Sequence, residues 1–301
     1  VSLAGTVLRA GRGKGLLEGG LSLALGPWLG RGLAKEAACF KGPGRAAGAR
    51  AAVSFDVDFQ ADVRALEGLA DLLEKLSLKA SFACVGEWVA RHPEPHRALV
   101  RAGHEIINHT LSHPDNEELD PDRHFHLLGP KELKEQVLGG HRLLEDLLEV
   151  RPAGFRAPHF GHQHTEAVYP LLTELGYLYS SSTLASRSSS WGWPHPLGQG
   201  LWEFPVTVCP RHPFSSFDTW HLVRKRPNRH RPGDLTRLLE EVIRTALEKD
   251  LPLAFYLDPR DVMGVDGAAS GECRRALELL ASASLPLTTL GGWARELEGK
   301  A

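Results

Sequence analysis

A chain of 301 residues, 42% hydrophobic and 24% charged, has enough apolar material to bury one large α/β core or two small ones, and lacks the apolar poverty of a disordered chain. Its formal charge of -2 gives no global electrostatic reason to expect nucleic acid or an anionic membrane surface as partner. No run of about eighteen apolar residues occurs, so no stable membrane insertion is expected.

Residues 1–48 are rich in Gly, Ala and Arg, show no strong period, and end in "KGPGRAAGAR". They read as an N-terminal extension packed on or linked to a main domain over 49–301. The opening stretch mixes basic residues with a mildly apolar run, but Glu18 and repeated glycines interrupt it, which makes a poor secretory signal. The chain as given is therefore assigned to the cytoplasm, with an extracytoplasmic place as the alternative.

From residue 51 the pattern becomes regular. "AAVSF" reads as a short buried strand and "DVRALEGLADLLEKL" as an amphipathic helix. "KASFACV" and "HEIIN" read as strands around a helix over 87–101, and "PKELKEQVLGGHRLLEDLLE" as a long helix before the strand "AGFRA". Then follow "TEAVYPLLTELG", "YLYSS", "LWEFPV", the helix "LTRLLEEVIRTALEK", the strand "PLAFYL", the helix "GECRRALELLAS" and the closing "PLTTL". Strands alternating with long helices imply parallel pairing through crossovers, and about seven such units favour a closed barrel over an open sheet.

In a parallel barrel the loops after the strands build the active site. Here those positions hold Asp56 and Asp58, then His109 and His113, then Arg156 and His159, then Ser180 to Ser182, then Asp258. Two carboxylates at the end of a buried strand are costly to desolvate unless something positive compensates them. His109 and His113, four apart, read as one face of a helical turn; with one aspartate they complete a three-ligand set whose open positions suit catalysis. The bland alternatives are a capping histidine pair and an aspartate that merely N-caps the next helix.

Other features are weaker. Cys39, Cys84, Cys209 and Cys273 are far apart and form no C-x-x-C, so they read as buried thiols rather than a zinc ribbon or redox pair. The basic run "RKRPNRHRP", residues 224–232, suits either an anionic polymer or, by preference, a solvated loop. Trp191, Trp193, Trp202 and Trp220 fall in or near the long segment 183–233. Trp202 is assigned to the barrel wall, while Trp191 and Trp193, flanked by Ser, Gly and Pro, are candidate platforms for a sugar ring.

The blocks "SFDVD", "GHEIINHTLSHP", "GFRAPHFG", "GYLYSSS", "LWEFPVT" and "LAFYLDPRD", in this order, resemble the NodB-homology polysaccharide deacetylases over about residues 50–298. The likeness is nearest to the branch that modifies bacterial cell-surface polysaccharide and peptidoglycan. The resemblance implies an α/β fold, a distorted (β/α)7 barrel, that uses a divalent metal, commonly zinc, to remove N-acetyl groups from an acetylated glycan. It implies Asp58, His109 and His113 as metal ligands, Asp56 as general base and Arg156 as the arginine that orients it. The D-x-D spacing, in place of adjacent aspartates, leaves the division of roles between Asp56 and Asp58 open. A backbone N–H near His159 or Phe160 would assist an oxyanion on the substrate side.

Two positions depart from the family pattern. The last strand usually ends in a proton-donating His, where this chain has Tyr256-Leu257-Asp258-Pro259, and the Asp that tunes that His is Ser180. Asp258 is one candidate for the general acid, because a desolvated carboxyl can hold its proton near neutral pH. His159, His162 or His164 from "PHFGHQH" is a second source. A third reading makes the chain a carbohydrate-binding pseudoenzyme, and a separate one makes it a hydrolase of a small amide or cyclic imide.

Overall fold

The computed structural model describes residues 2–12, 16–163, 165–224, 230–264 and 270–299, for 161–163 the backbone only. Residues 225–229 of the basic run and His164 lie outside the described residues, as does the side chain of His162.

Two helices precede the sheet, α1 (Leu3–Gly11) and α2 (Leu16–Cys39). Ser2 caps α1 by accepting the Gly5 N–H at 3.1 Å. This stretch is helical in spite of its weak apolar period. Small residues here allow close backbone approach: a Cβ on Gly26 would lie 1.8 Å from the Arg211 carbonyl oxygen, and one on Gly30 2.1 Å from that of Pro210. Leu8 and Leu29 are completely buried in the main core.

β1 (Ala51–Val57) is buried at every position, as a strand covered on both faces must be. It leads into α3 (Gln60–Lys75), where Leu66, Leu69 and Leu73 lie on one face and are fully buried, each stabilising the fold by about 1.5–3 kcal/mol. β2 (Ser81–Cys84) follows, then α4 (Gly86–Arg91) and α5 (Pro93–Arg101). The single helix expected over 87–101 is broken at His92, because a residue before proline avoids the helical region. After β3 (Glu105–Asn108) come α6 (Pro130–Leu148), β4 (Gly154–Phe155), α7 (Tyr169–Glu174), β5 (Tyr179–Ser180), β6 (His195–Gly198) and β7 (Leu201–Glu203). The chain continues through α8 (Asp234–Lys249), β8 (Leu253–Leu257), α9 (Pro259–Val262), α10 (Gly271–Ser282) and α11 (Leu290–Glu298). "PLTTL" supplies one parallel bridge, Ala51 to Leu287, and the Thr289 hydroxyl that caps α11.

The sheet runs β6-β7-β5-β4-β3-β2-β1-β8. Every neighbouring pair is parallel except β6 with β7. No ladder joins the two edge strands among the described residues, so the expected closed barrel is a curled, distorted one. Its seam is narrow: Thr207 N–H donates to the Ala254 carbonyl at 2.6 Å, and Ala254 N–H donates to Thr207 Oγ1 at 3.0 Å. No helix among the described residues is long and apolar enough to cross a membrane.

Candidate active site

Asp56 and Asp58 stand at the carboxyl end of β1, two residues apart, so the pleat sends both side chains to the same side. The carbonyl of Asp58 accepts from Trp88 Nε1 and Asn116 Nδ2, each at 2.7 Å, which fixes the turn after the strand.

His109 and His113 come from the loop after β3. The helical turn expected for them is absent: Thr110 and His113 have φ of 71° and 54°, so the chain reverses through left-handed conformations. The reversal is held by Asn108 Oδ1, which accepts from Thr110 N at 2.9 Å, and by Thr110 Oγ1, which accepts from His113 N at 3.1 Å. Both rings are buried, with Nε2 atoms 3.2 Å (His109) and 3.6 Å (His113) from Asp58 Oδ1.

That oxygen is buried and receives no hydrogen bond of acceptable geometry among the described residues. His109 Nδ1 lies 2.7 Å from the Arg156 carbonyl oxygen and must donate to it, so a neutral ring turns the lone pair of Nε2 toward the carboxylate. Burial opposes charge on His109, but Asp58 and Asp56 outweigh it and push its pKa up; burial also opposes charge on Asp58, but His113 and His109 hold its carboxyl far below the usual range. Burial, with His109 and His159 adding, pulls His113 down to about 3 against the pull of Asp58. A lone pair, an orphaned carboxylate oxygen and a neutral imidazole converging on one point fit a divalent cation of the zinc class.

Arg156 follows β4 and is almost fully buried. Its Nη1 donates to Asp56 Oδ1 at 2.5 Å and to Ser54 Oγ at 2.9 Å, while Nε and Nη2 donate to the carbonyl and hydroxyl of Ser181 at 3.1 and 3.0 Å. Burial raises the pKa of Asp56 in spite of that guanidinium.

Asp258 ends β8, and the pairing of Phe55 with Leu257 sets it beside Asp56 on the neighbouring strand. Its Oδ2 accepts from Thr219 Oγ1 at 2.9 Å, and the same hydroxyl accepts the Asp258 N–H at 2.9 Å. Burial, then the charges of Asp62, Asp261, Asp58 and Asp218, raise its pKa well above the ordinary carboxylate value. Ser180 is buried and donates to Ser182 Oγ at 2.9 Å.

The rim differs from the sequence expectation. His159 is exposed at the mouth, its ring centroid 5.0 Å from that of His113 in an edge-to-face arrangement. The half-buried Phe160 packs against Tyr256, and its N–H donates to the Ala157 carbonyl at 3.0 Å, which removes it as an oxyanion donor. Trp191 and Trp193 are corrections, because both are buried. Arg12 and Arg9 cover the ring of Trp191, Arg45 covers that of Trp193, and Trp193 Nε1 donates to the Ala37 carbonyl at 2.9 Å. Both rings pack beneath arginines of the N-terminal segment. Trp202 is buried in the wall and Trp220 is exposed.

Two supporting acids were missed from sequence. Buried Glu203 accepts from the N–H groups of Ser182 and Thr183 at 2.7 and 2.9 Å and so shapes the serine loop under Arg156. Its signal was a lone charge inside the strand "LWEFPV". Asp62 is fully buried, accepts from Phe59 N and Arg260 N, each at 3.0 Å, and is pushed up to about 7 by burial first. A cavity of about 640 Å³, lined in part by Leu251 and Leu253, lies beside the start of β8, at the opposite end of that strand from Asp258.

The sequence profile of the polysaccharide deacetylases matches residues 45–180, a stretch that carries Asp56, Asp58, His109, His113 and Arg156. Over just under half of its length, this chain matches the polysaccharide deacetylase family. It is 32% identical over 90 residues to a chitooligosaccharide deacetylase of Bradyrhizobium sp. (strain ANU 289), a match over 30% of this chain and 37% of that protein. It spans less than half of the length of the curated relatives it matches. Among solved structures, a Mycobacterium smegmatis protein assigned to the polysaccharide deacetylases shares the fold with a TM-score of 0.65 at 20% identity, over 84% of this chain and 92% of that one. The PuuE allantoinase shares it with a TM-score of 0.62 at 19% identity, over 78% and 72%. Asp258 and the whole segment after β5 lie beyond the matched profile.

Proposed function

We propose that this chain is a metal-dependent hydrolase that removes N-acetyl groups from an amino-sugar polymer or oligosaccharide. The observation that carries the reading is Asp58 Oδ1, buried without a hydrogen bond between the Nε2 atoms of His109 and His113. These three residues would hold a divalent ion, with zinc the first candidate; bound there, it supplies Lewis-acid chemistry that acidifies water and polarises an acyl oxygen.

The protein's own groups do the rest. Arg156 fixes Asp56 through Oδ1, so the proton of the attacking water passes to Oδ2. Asp258, its pKa raised by burial and by the neighbouring carboxylates, donates a proton to the departing amine, with Thr219 holding its Oδ2 in place. His159, at the mouth, meets the sugar flanking the acetamide. The burial of these acids excludes bulk water from the proton transfers.

The test is acetate release from N-acetylated chitooligosaccharides and peptidoglycan fragments, before and after chelation and zinc return. Release that follows the metal supports the proposal. An intact metal set with no release from any acetylated glycan would leave a carbohydrate-binding protein, and turnover of cyclic imides alone would leave a small-amide hydrolase.

A further inference from the structure

A second cluster lies away from the Asp58 centre, on the long segment between β7 and α8. Cys209 and His212 come from the loop after β7, His221 from the short helical turn Trp220–Arg224, and His230 from the approach to α8. Each of the four offers one ligand atom, and these atoms all lie within 4.8 Å of one another.

The distances are those of a tetrahedron. His212 Nδ1 is 3.1 Å from His230 Nε2 and 3.2 Å from His221 Nε2, and His230 Nε2 is 3.3 Å from His221 Nε2. Cys209 Sγ is 3.9 Å from both His212 Nδ1 and His230 Nε2. A four-coordinate zinc ion, bonded at about 2.0–2.1 Å to nitrogen and about 2.3 Å to sulfur, sets N···N edges of about 3.3 Å and S···N edges of about 3.6 Å. The three imidazoles stand at 79°, 82° and 87° to one another, so each presents its nitrogen edge-on to a shared centre.

Hydrogen bonding alone does not account for the triangle. Each converging nitrogen is either a donor or an acceptor, so at least two of the three share a role and repel at just over 3 Å. A cation at the centre satisfies all three lone pairs at once. The surroundings match a ligand set: Asp234 Oδ2 lies 3.3 Å from the outward Nδ1 of His230, a carboxylate placed to orient a metal-bound imidazole. Asp218 Oδ1 accepts the His221 N–H at 2.6 Å, and Gly26 and Gly30 of α2 press on the backbone of Arg211 and Pro210, between Cys209 and His212.

We infer that Cys209, His212, His221 and His230 form a second, closed metal site of one thiolate and three imidazoles, suited to zinc. Four protein ligands leave no position for substrate, so its role is structural. It clamps the segment that carries Thr219, whose hydroxyl holds Asp258. The inference concerns residues separate from the Asp58 set and stands without the proposed deacetylation.

The test loads cobalt(II) into chelated protein. Wild type and His113→Ala are both expected to develop a thiolate-to-cobalt charge-transfer band in the near ultraviolet, and Cys209→Ser to lose it; the Asp58 set contains no sulfur. On unmutated protein, X-ray absorption of the zinc form is expected to require one sulfur scatterer. Elemental analysis is expected to give two ions per chain in wild type and one in His113→Ala. A wild-type protein with no sulfur scatterer and no charge-transfer band overturns the second site, as does a band that survives Cys209→Ser. One ion in both wild type and His113→Ala, with the sulfur signature kept, supports this site while removing the Asp58 one.

Discussion

Arg156 Nη1 donates to Asp56 Oδ1 at 2.5 Å, and both side chains are buried. Removing one partner of a buried ion pair leaves an uncompensated charge, which costs about 3–5 kcal/mol. Arg156→Met is therefore expected to lose that much stability in urea denaturation and most of its hydrolytic rate. Unchanged stability would mean that Asp56 is already neutral in the native protein.

His113→Ala takes away one of two imidazoles facing Asp58 Oδ1 and nothing of the core beneath. The expected result is loss of the ion bound there, by elemental analysis, and of acetate release, with the far-ultraviolet circular dichroism unchanged. Retention of the full metal complement would reject the ligand assignment.

Asp258 has a pKa raised by burial and by surrounding carboxylates, so it acts as an acid only while protonated. Activity that needs it is present below the folded pKa and is lost as pH rises through it. Asp258→Asn is expected to lower kcat by about 10²- to 10⁴-fold and to remove this alkaline limb from the pH profile. If the limb persists in the variant, another group donates the proton.

Gly140 on α6 touches the histidine loop: an added Cβ would lie 2.4 Å from Asn108 Oδ1 and 2.8 Å from the Thr110 carbonyl. Gly140→Ala is expected to cost about 1–3 kcal/mol of stability and to weaken metal affinity by displacing His109 and His113. Wild-type affinity in a titration would show that the loop does not depend on this packing.

His96 is buried, donates Nδ1–H to the His92 carbonyl at 2.8 Å, and is pulled down to about 4 by burial. Its folded pKa lies below the unfolded value, so the associated stability is present above about pH 6.5 and is lost as pH falls toward 4, by roughly 3 kcal/mol in all. His96→Leu is expected to flatten the fall in urea midpoint between pH 7 and pH 4.5. His104 titrates in the same direction, so part of the slope should remain.

The acidic pair, both histidines, Arg156 and Asp258 were legible because each follows a buried strand, and a charge at such a place is conspicuous in sequence. Their local conformation was not: H-x-x-x-H matches helical spacing, while the reversal between His109 and His113 depends on the Asn108 side chain and on packing against α6. Trp191 and Trp193 looked exposed because their neighbours are small and polar; arginines from residues far away in the chain cover them. Cys209 carried no C-x-x-C signal, and although His212 is its neighbour on the same loop, His221 and His230 meet it only through the turn over Asp218 and the approach to α8. Patterns within one element were readable, whereas contacts made between elements were not.

β1 has β2 on one side and β8 on the other, and Ser54 bonds to the Phe255 carbonyl across 201 residues of chain. A fragment ending before β8 would still contain every residue of the Asp58 set, yet the strand carrying it would present a bare row of N–H and C=O groups to other molecules. During synthesis that edge stays uncovered until residues 253–257 have emerged, and its pairing is among the slow, non-local steps of folding. The reactive end is thus completed only when β8 pairs with β1, and forms truncated before β8 are expected to aggregate before they bind metal.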